Sequence, residues 1–289
     1  LSTIPDALPK EYAEKLQTLQ AEAPSMGWFF VKRRMASELG RDWSIKFDTF
    51  DKIASNAASL GQVHKAKFND NNIACKLQYP DMESTVEADL KQLKIIFSLY
   101  GSWDKTIKTK DIYNELSERL KEELDYKREL KNMLLFDEML KNQKYINIPT
   151  PIKELSTDKL LSMTWLNGES LMKWKKSEPV IKNHLALTLF YAWYIPFYKY
   201  GIIHGDPHPG NYQVNKSNQK KPDINLLDFG CIRVFPPKFV KGVIDLYIAM
   251  RDDNKKLAIK AYKSWGFNNL TEDLINILNI WASYIYGPL

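Results

Sequence analysis

The spacing of hydrophobic positions along the chain predicts several helices. Apolar residues that recur every three or four positions form one buried face of a helix. The stretches with this spacing are residues 11–23, 28–39, 86–100 and, as one long helix, 111–140. After Glu169 the pattern is again helical, except at residues 204–214 and 223–233, where Asp, Asn, Gly and Pro are concentrated. Functional residues are therefore expected in those two loops.

Shorter runs between the predicted helices have the character of strands. Residues 61–68 and 73–77 flank the polar run Asn69 to Asn72, which predicts two strands joined by a turn. A further strand, residues 159–166, ends at the turn signal Asn167-Gly168. The order of elements predicts an α+β fold of two lobes. Residues 1–168 form the first, with a small antiparallel sheet and inserted helices, and residues 169–289 form the second, which is mainly helical.

Composition and charge narrow the possible partners. The 289 residues are 44% hydrophobic, enough for a substantial core, and two cysteines cannot build a disulfide framework. Lys and Arg exceed Asp and Glu by 6 (41 against 35), spread along the chain. This excess suits nucleotides or lipid headgroups, and we expect no nucleic-acid partner.

The chain shows no sign of a targeting or membrane-spanning segment. Residues 1–8, LSTIPDAL, have no initiating Met and no basic or long apolar run, so we expect a fragment without a signal peptide. Residues 185–203 are the most apolar stretch, but Pro196 and Lys199 interrupt them, which favours a helix of the fold over a membrane span.

Asp206 and Asn211 lie five positions apart on a loop stiffened by prolines. Phosphoryl transfer needs a carboxylate that accepts or orients the proton of the nucleophile and an amide oxygen that ligates Mg²⁺. This pair has both groups at the spacing of a kinase catalytic loop. Taken alone, the pair also fits an ordinary capped turn.

A second element strengthens the interpretation. Seventeen residues after Asn211, an apolar run ends at Asp228-Phe229-Gly230, where a carboxylate can hold Mg²⁺ against nucleotide phosphates. Upstream, Ile73-Ala74-Cys75-Lys76 resembles the Val-Ala-Ile-Lys of the third strand of a kinase, so Lys76 is the candidate ligand of the α- and β-phosphates. The end of the later strand, with Met163, Trp165 and Leu166, is expected to contact adenine.

The loop before Lys76 is similar to that of a known family. Ala57, Ala58 and Ser59, followed by Leu-Gly-Gln-Val-His, resemble the alanine-rich nucleotide loop of the UbiB or aarF-domain atypical kinases. This resemblance implies that the three residues bind the nucleotide. The run Glu-Glu-Leu-Asp-Tyr-Lys-Arg-Glu resembles the Glu-x-Asp signature of the same family, which implies that Glu123 and Asp125 are its two acids.

The same resemblance implies that Glu129 is the ion-pair partner of Lys76, although Glu87 on the preceding helix competes for that role. Two departures from the family pattern stand out. Ser55 and Asn56 replace alanine in the loop, and the Lys-x-Gly-Gln motif expected just before Leu1 is absent from the sequence.

Resemblance to this family implies a protein-kinase-like fold that binds ATP and Mg²⁺ and supports ubiquinone biosynthesis as a kinase or ATPase. It also implies a lipid membrane surface and ubiquinone-biosynthesis proteins as partners. The location that it implies is cytoplasmic and peripheral to the bacterial inner membrane, or else at a membrane of an organelle of bacterial origin. Two alternatives remain: a small-molecule kinase of the aminoglycoside or choline type, and a nucleotide-gated pseudokinase or lipid-binding scaffold. The absence of a long segment or an Ala-Pro-Glu after Gly230 makes a protein substrate doubtful.

Overall fold

The structure is a computed structural model that describes residues 26–58, 60–103, 109–216 and 220–286. The helix predicted at residues 11–23 lies outside this part of the chain. The α-helices within it are α1 (Trp28–Leu39), α2 (Met82–Trp103), α3 (Thr109–Glu123), α4 (Tyr126–Leu140), α5 (Pro179–Tyr200), α6 (Pro237–Arg251), α7 (Lys255–Ser264) and α8 (Glu272–Tyr286). The helix predicted over residues 28–39 is confirmed at both ends.

The single long helix predicted over residues 111–140 is wrong, because the chain breaks between α3 and α4. Asp125 leaves the helical conformation and its side chain accepts a hydrogen bond from the backbone N–H of Arg128 at 2.9 Å, which caps α4. The carbonyl of Leu124, freed by the break, accepts from the side chain of Gln78 at 3.2 Å. The apolar periodicity continues through Leu124, so the break leaves no trace in the hydrophobic pattern.

The strands of the described residues are β1 (Thr49–Phe50), β2 (Asn56–Ala58), β3 (Gly61–Phe68), β4 (Asn71–Gln78), β5 (Ile146–Asn147), β6 (Leu160–Thr164), β7 (Glu169–Ser170), β8 (Ile202–His204), β9 (Tyr212–Asn215), β10 (Asp223–Leu226) and β11 (Ile232–Val234). One antiparallel sheet has the order β1-β3-β4-β6, and β2 also pairs with β3. Asn69 and Asp70 join β3 to β4 with φ of 50° and 62°, a left-handed turn that Asn and Asp tolerate. The predicted pair of strands is confirmed.

The two faces of this sheet differ in chemistry, because successive side chains of a strand point to opposite faces. On β4, Cys75 and Leu77 point to one face, and Ala74, Lys76 and Gln78 point to the other. The first face packs against α1 and forms the core of this region. Its buried members are Met26, Val31, Met35, Trp43, Phe47, Ala66, Ile73, Cys75, Leu77, Leu155 and Leu160.

A second sheet has the order β5-β10-β9-β7 and carries the two loops singled out in the sequence. Strands β9 and β10 form an antiparallel hairpin in which Tyr212 pairs with Leu226. The buried side chain of Asn225 on β10 accepts a hydrogen bond from Asn147 at 3.0 Å and donates one to the carbonyl of Asn167 at 3.1 Å. These bonds fix the chain on either side of β6 to the hairpin.

The chain divides into two compact units. The first contains residues 1–190 and 205–232, and the second contains residues 191–204 and 233–289. The core of the second unit joins α6, α7 and α8 through Leu246, Ala249, Ala258, Ala261, Tyr262 and Ala282. The lobe boundary placed at Gly168 from the sequence stays a prediction. Within the described residues, no helix has the length and apolar character needed to cross a membrane.

Candidate active site

Lys76 lies at the centre of a buried ion cluster. Its Nζ donates to both carboxylate oxygens of Glu129, at 2.8 and 2.9 Å, and to Oδ2 of Asp228 at 3.2 Å. Lys76 is 7% exposed and Glu129 2%, whereas Asp228 is partly exposed. The structure therefore places Glu129 beside Lys76, while Glu87 lies exposed on α2. Three charged groups that are far apart in the sequence meet within one hydrogen-bonded cluster.

The charges of this cluster stabilise the protonated lysine. Burial disfavours the ammonium, but the carboxylates of Asp228 and Glu129 outweigh burial and hold the pKa of Lys76 well above its ordinary value. Burial likewise raises the pKa of Glu129, and the ammonium of Lys76 opposes that shift. Lys76 is therefore a fixed cation at neutral pH. Because burying two charges costs several kcal/mol each, a buried ion pair is weak evidence for stability and suits a functional role.

Helix α4 carries the groups that hold Asp228 in place. Glu129, Asn132, Met133 and Phe136 follow one another at helical spacing and are all buried. The side chain of Asn132 donates to the carbonyl of Phe229 at 2.8 Å, and the ring of Phe136 lies 5.4 Å from that of Phe229. The sequence interpretation missed Asn132 and Phe136, although their spacing from Glu129 puts them on the same face of the helix.

Asp206 and Asn211 are hydrogen-bonded to each other. The Nδ2 of Asn211 donates to Oδ2 of Asp206 at 2.7 Å, and the backbone N–H of His208 donates to Oδ1 of Asp206 at 3.1 Å. His208 in turn accepts from the N–H of Gly210 at 3.1 Å. Asp206 is exposed, so its carboxylate is accessible to solvent and to a reactant. The loop is thus rigid around an accessible acid, which suits the role expected from the sequence.

The β9–β10 hairpin brings Asn211 and Asp228 to the same end of the second sheet. Asn211 precedes β9, Asp228 follows β10, and the N–H of Leu227 donates to the carbonyl of Asn211 at 3.1 Å. Asp228 is also fixed by the N–H of Gly230, which donates to its Oδ1 at 2.9 Å. A carboxylate and an amide oxygen are the hard donors that Mg²⁺ prefers, so these two residues fit the metal expected here.

The alanine-rich segment forms one strand of a hairpin. Ala57 and Ala58 belong to β2, whose partner β3 begins at Gly61, and Ser59 lies outside the described residues. A Cβ on Gly61 would lie 2.1 Å from the carbonyl oxygen of Leu77. That oxygen belongs to the backbone of β4 and cannot move aside, so glycine is required at the turn end of the hairpin. This hairpin adjoins the strand that carries Lys76.

The residues expected near adenine lie at the end of β6. Met163 pairs with Ala74, and Leu161 pairs with Lys76, which places Met163 on the same sheet face as Lys76. Trp165 and Leu166 follow the strand, and the indole of Trp165 donates to the side chain of Asn167 at 3.1 Å and lies 5.2 Å from Nζ of Lys65. Of the three, Met163 has the clearest relation to the site.

The two acids of the Glu-x-Asp signature have different positions. Glu123 is the last residue of α3, and Asp125 is the cap of α4 described above. Asp125 thereby fixes the start of the helix that carries Glu129. A direct role of either acid in binding or chemistry stays a prediction.

The run Gly-Gln-Val-His, residues 61–64, has a structural role that the sequence did not suggest. The side chain of Gln62 accepts from the N–H of Met26 at 2.6 Å and donates to its carbonyl at 3.3 Å. It also lies 2.7 Å from Nε2 of His64, whose Nδ1 is 2.7 Å from the carbonyl of Asp51. Burial lowers the pKa of His64, which favours the neutral ring. Gln62 therefore attaches the segment before α1 to the sheet.

Comparison with known proteins places this site in a family. The sequence profile of the ABC1 atypical kinase-like domain matches residues 18–262, which is most of the chain. The chain belongs to this family. The ABC1 match includes both halves of the site, from Gly61 and Lys76 to Asp228.

Relatives of this ABC1 domain occur in eukaryotic organelles. The atypical kinase COQ8, mitochondrial, of Saccharomyces cerevisiae is 32% identical over 249 residues, which are 85% of this chain and 49% of that protein. Protein ACTIVITY OF BC1 COMPLEX KINASE 8, chloroplastic, of Arabidopsis thaliana is 29% identical over 280 residues, 94% of this chain and 36% of that protein. The chain thus spans half or less of the length of these relatives.

A solved structure supports the fold of the ABC1 domain. The complex of Rv3197 with erythromycin from Mycobacterium tuberculosis matches with a TM-score of 0.71 at 24% identity, covering 98% of this chain and 72% of that chain. At this identity the likeness shows a shared fold. Together with the family, it confirms the kinase-like α+β fold that the sequence resemblance implied.

Proposed function

We propose that this chain binds ATP with Mg²⁺ and transfers its γ-phosphoryl group to water or to an acceptor hydroxyl, with ADP as the leaving group, as an atypical ATPase or kinase. The observation that carries the proposal is that the carboxylates of Glu129 and Asp228 both lie within 3.2 Å of Nζ of Lys76. A lysine paired to a helix glutamate, next to the aspartate that ends a strand, is the arrangement that kinases use to hold nucleotide phosphates and metal.

Each residue has a role in this proposal. Lys76 binds the α- and β-phosphates, Glu129 orients Lys76, Asn211 and Asp228 ligate Mg²⁺, and Asp206 accepts the proton of the nucleophile. When bound, Mg²⁺ neutralises charge on the phosphate oxygens. The nucleophile is water if the protein is an ATPase and an acceptor hydroxyl if it is a kinase.

The remaining proposed contacts are with the rest of the nucleotide. Ala57 and Ala58 would cover the phosphates, because the β2–β3 hairpin adjoins the strand of Lys76. For Ser59 the same role rests on the sequence resemblance alone. Adenine would contact Met163, Trp165 and Leu166. Met163 supports this placement because it shares a sheet face with Lys76.

In the cell, we propose that this activity supports ubiquinone biosynthesis or related lipid metabolism at a membrane surface. The support is the family, together with the formal net charge of +6, which favours association with anionic headgroups. The chain would be peripheral to the membrane and would work with proteins of ubiquinone biosynthesis.

Mg²⁺-dependent ATP hydrolysis, measured with and without vesicles that contain anionic lipid, tests this proposal. Wild-type chain should turn over, and Asp206→Asn should be slower by about a hundredfold or more, the usual contribution of a general base. Asp137→Asn, an exposed acid on α4, serves as the matched control and should resemble wild type. If the wild type binds ATP without turnover under both conditions, the ATPase form of the proposal is wrong, and a kinase that lacks its acceptor or a nucleotide-gated scaffold remains.

A further inference from the structure

Tyr126, the first residue of α4, is buried beside the ion cluster and lies outside the roles assigned so far. It is 1% exposed, and its ring centroid lies 5.3 Å from Nζ of Lys76. This is within the range at which an ammonium is attracted to the face of an aromatic ring. Lys76 therefore has three contacts that fix its head group: two carboxylates and one ring.

The hydroxyl of Tyr126 is buried and has no hydrogen-bond partner among the described residues. A buried hydroxyl without a partner is unfavourable, because it loses its bonds to water. Burial also raises the pKa of Tyr126, so the hydroxyl keeps its proton. A hydrogen bond within the fold therefore does not explain the tyrosine at this position. The aromatic ring and its shape explain it.

The shape of Tyr126 matches the missing side chain of Gly61. A Cβ on Gly61 would lie 2.9 Å from the hydroxyl oxygen of Tyr126, closer than carbon and oxygen atoms normally approach. The tyrosine thus occupies the space that glycine leaves at the turn end of the β2–β3 hairpin. It contacts the hairpin at one end and the ammonium of Lys76 with its ring.

We propose that Tyr126 is a positioning residue, which holds the ammonium of Lys76 in register with the turn end of the β2–β3 hairpin. Glu129 fixes Lys76 from the next turn of the same helix, so α4 places the lysine through two residues of different chemistry. This inference rests on the proposed role of Lys76 in binding phosphates. Its effect should therefore be confined to ligands that carry phosphate.

The test compares binding of ATP and of adenosine, both with Mg²⁺, by wild type, Tyr126→Phe and Tyr126→Leu. Tyr126→Leu removes the ring and should weaken ATP binding about thirtyfold, the size of a desolvated cation–π contact, with adenosine binding unchanged. Tyr126→Phe keeps the ring and should bind ATP within about twofold of wild type. A purely structural role would weaken both ligands together.

Tyr262 in the second unit is the matched control, because it is also fully buried but its hydroxyl donates to Asn279 at 2.9 Å. Tyr262→Phe loses this bond and should lower the melting temperature, whereas Tyr126→Phe should leave it unchanged or raise it. Tyr262→Leu should destabilise the chain without changing the ratio of ATP to adenosine affinity. If Tyr126→Leu does not fold, Tyr126→Met, which also removes the ring but fills more of the buried space, takes its place in the comparison of ATP with adenosine binding.

Three results would overturn the inference. Equal loss of ATP binding in Tyr126→Phe and Tyr126→Leu would make the hydroxyl itself the functional group. An unchanged affinity ratio in Tyr126→Leu, with normal ATP binding by the wild type, would refute the positioning role and leave the proposed function intact. No ATP binding by the wild type would refute the proposed function, and the positioning role with it.

Discussion

The ion pair of Lys76 and Glu129 is the residue-level feature on which the site depends. Removing one partner of a buried pair leaves the other charge uncompensated, which costs about 3–5 kcal/mol of unfolding free energy. Lys76→Met should show this loss in urea unfolding. The double variant Lys76→Met with Glu129→Leu should recover most of it, because neither buried charge remains. Equal destabilisation of the single and double variants would show that the two charges are not coupled.

His64 should make the stability of the fold depend on pH. Its folded-state pKa lies below the ordinary value of 6.5. Between these two pKa values the unfolded chain therefore binds more protons at His64 than the folded chain does. The contribution of neutral His64 to the unfolding free energy is thus fully present above about pH 6.5. It is lost as the pH falls from that value towards the folded-state pKa.

The unfolding free energy of wild type and His64→Asn, measured from pH 7 down to pH 5, tests this. The wild type should lose more stability than the variant over that interval, because protonation of Nε2 turns an acceptor for Gln62 into a competing donor. Parallel curves for the two proteins would contradict the buried neutral imidazole.

Several residues of the candidate site could be predicted from the sequence, because the signal lies in their immediate sequence neighbours. Asp206, Asn211 and Asp228 lie on loops whose Pro, Gly and Asn content sets them apart from the helices around them. Tyr126 and Asn132 were not predicted, because their significance depends on partners across the fold, Lys76 and the carbonyl of Phe229. Nothing in their own neighbourhood distinguishes them from other residues of an amphipathic helix.

At the level of elements, α4 connects the sheet to the Asp-Phe-Gly segment. It begins at the Asp125 cap, pairs with β4 through Glu129 and holds Phe229 through Asn132. The turn between β3 and β4 could be predicted, because the four consecutive polar residues Asn69 to Asn72 mark it in the sequence. The start of α4 could not, because the side chain of Gln78 that binds at the break belongs to a distant strand.

Loss of the Asp125 cap should weaken α4. Asp125→Ala removes the acceptor for the N–H of Arg128 and should cost about 1 kcal/mol of unfolding free energy, as other N-caps do. Asp137→Ala, in the exposed part of the same helix, should change it by less than about 0.5 kcal/mol. Equal effects of the two substitutions in urea unfolding would show that the cap contributes nothing.

At the level of the whole molecule, the site belongs to one compact unit. Residues 205–232, with both site loops, group with residues 1–190 and therefore with the sheet that carries Lys76. The fold class could be predicted from the order of elements together with the motifs. The division of the chain could not, because it passes through α5, where the helical pattern is continuous.

Binding of ATP in the presence and absence of Mg²⁺, by wild type and Asp228→Asn, tests the proposed site most directly. The wild type should bind ATP tightly only with Mg²⁺, and Asp228→Asn should weaken this binding by about tenfold to a hundredfold, the worth of one charged contact. Asp70→Asn is the control, because asparagine also accepts the φ of 62° in that turn. No binding by the wild type, or equal Mg²⁺-dependent binding by Asp228→Asn, would contradict the assignment of this site to Mg²⁺-ATP.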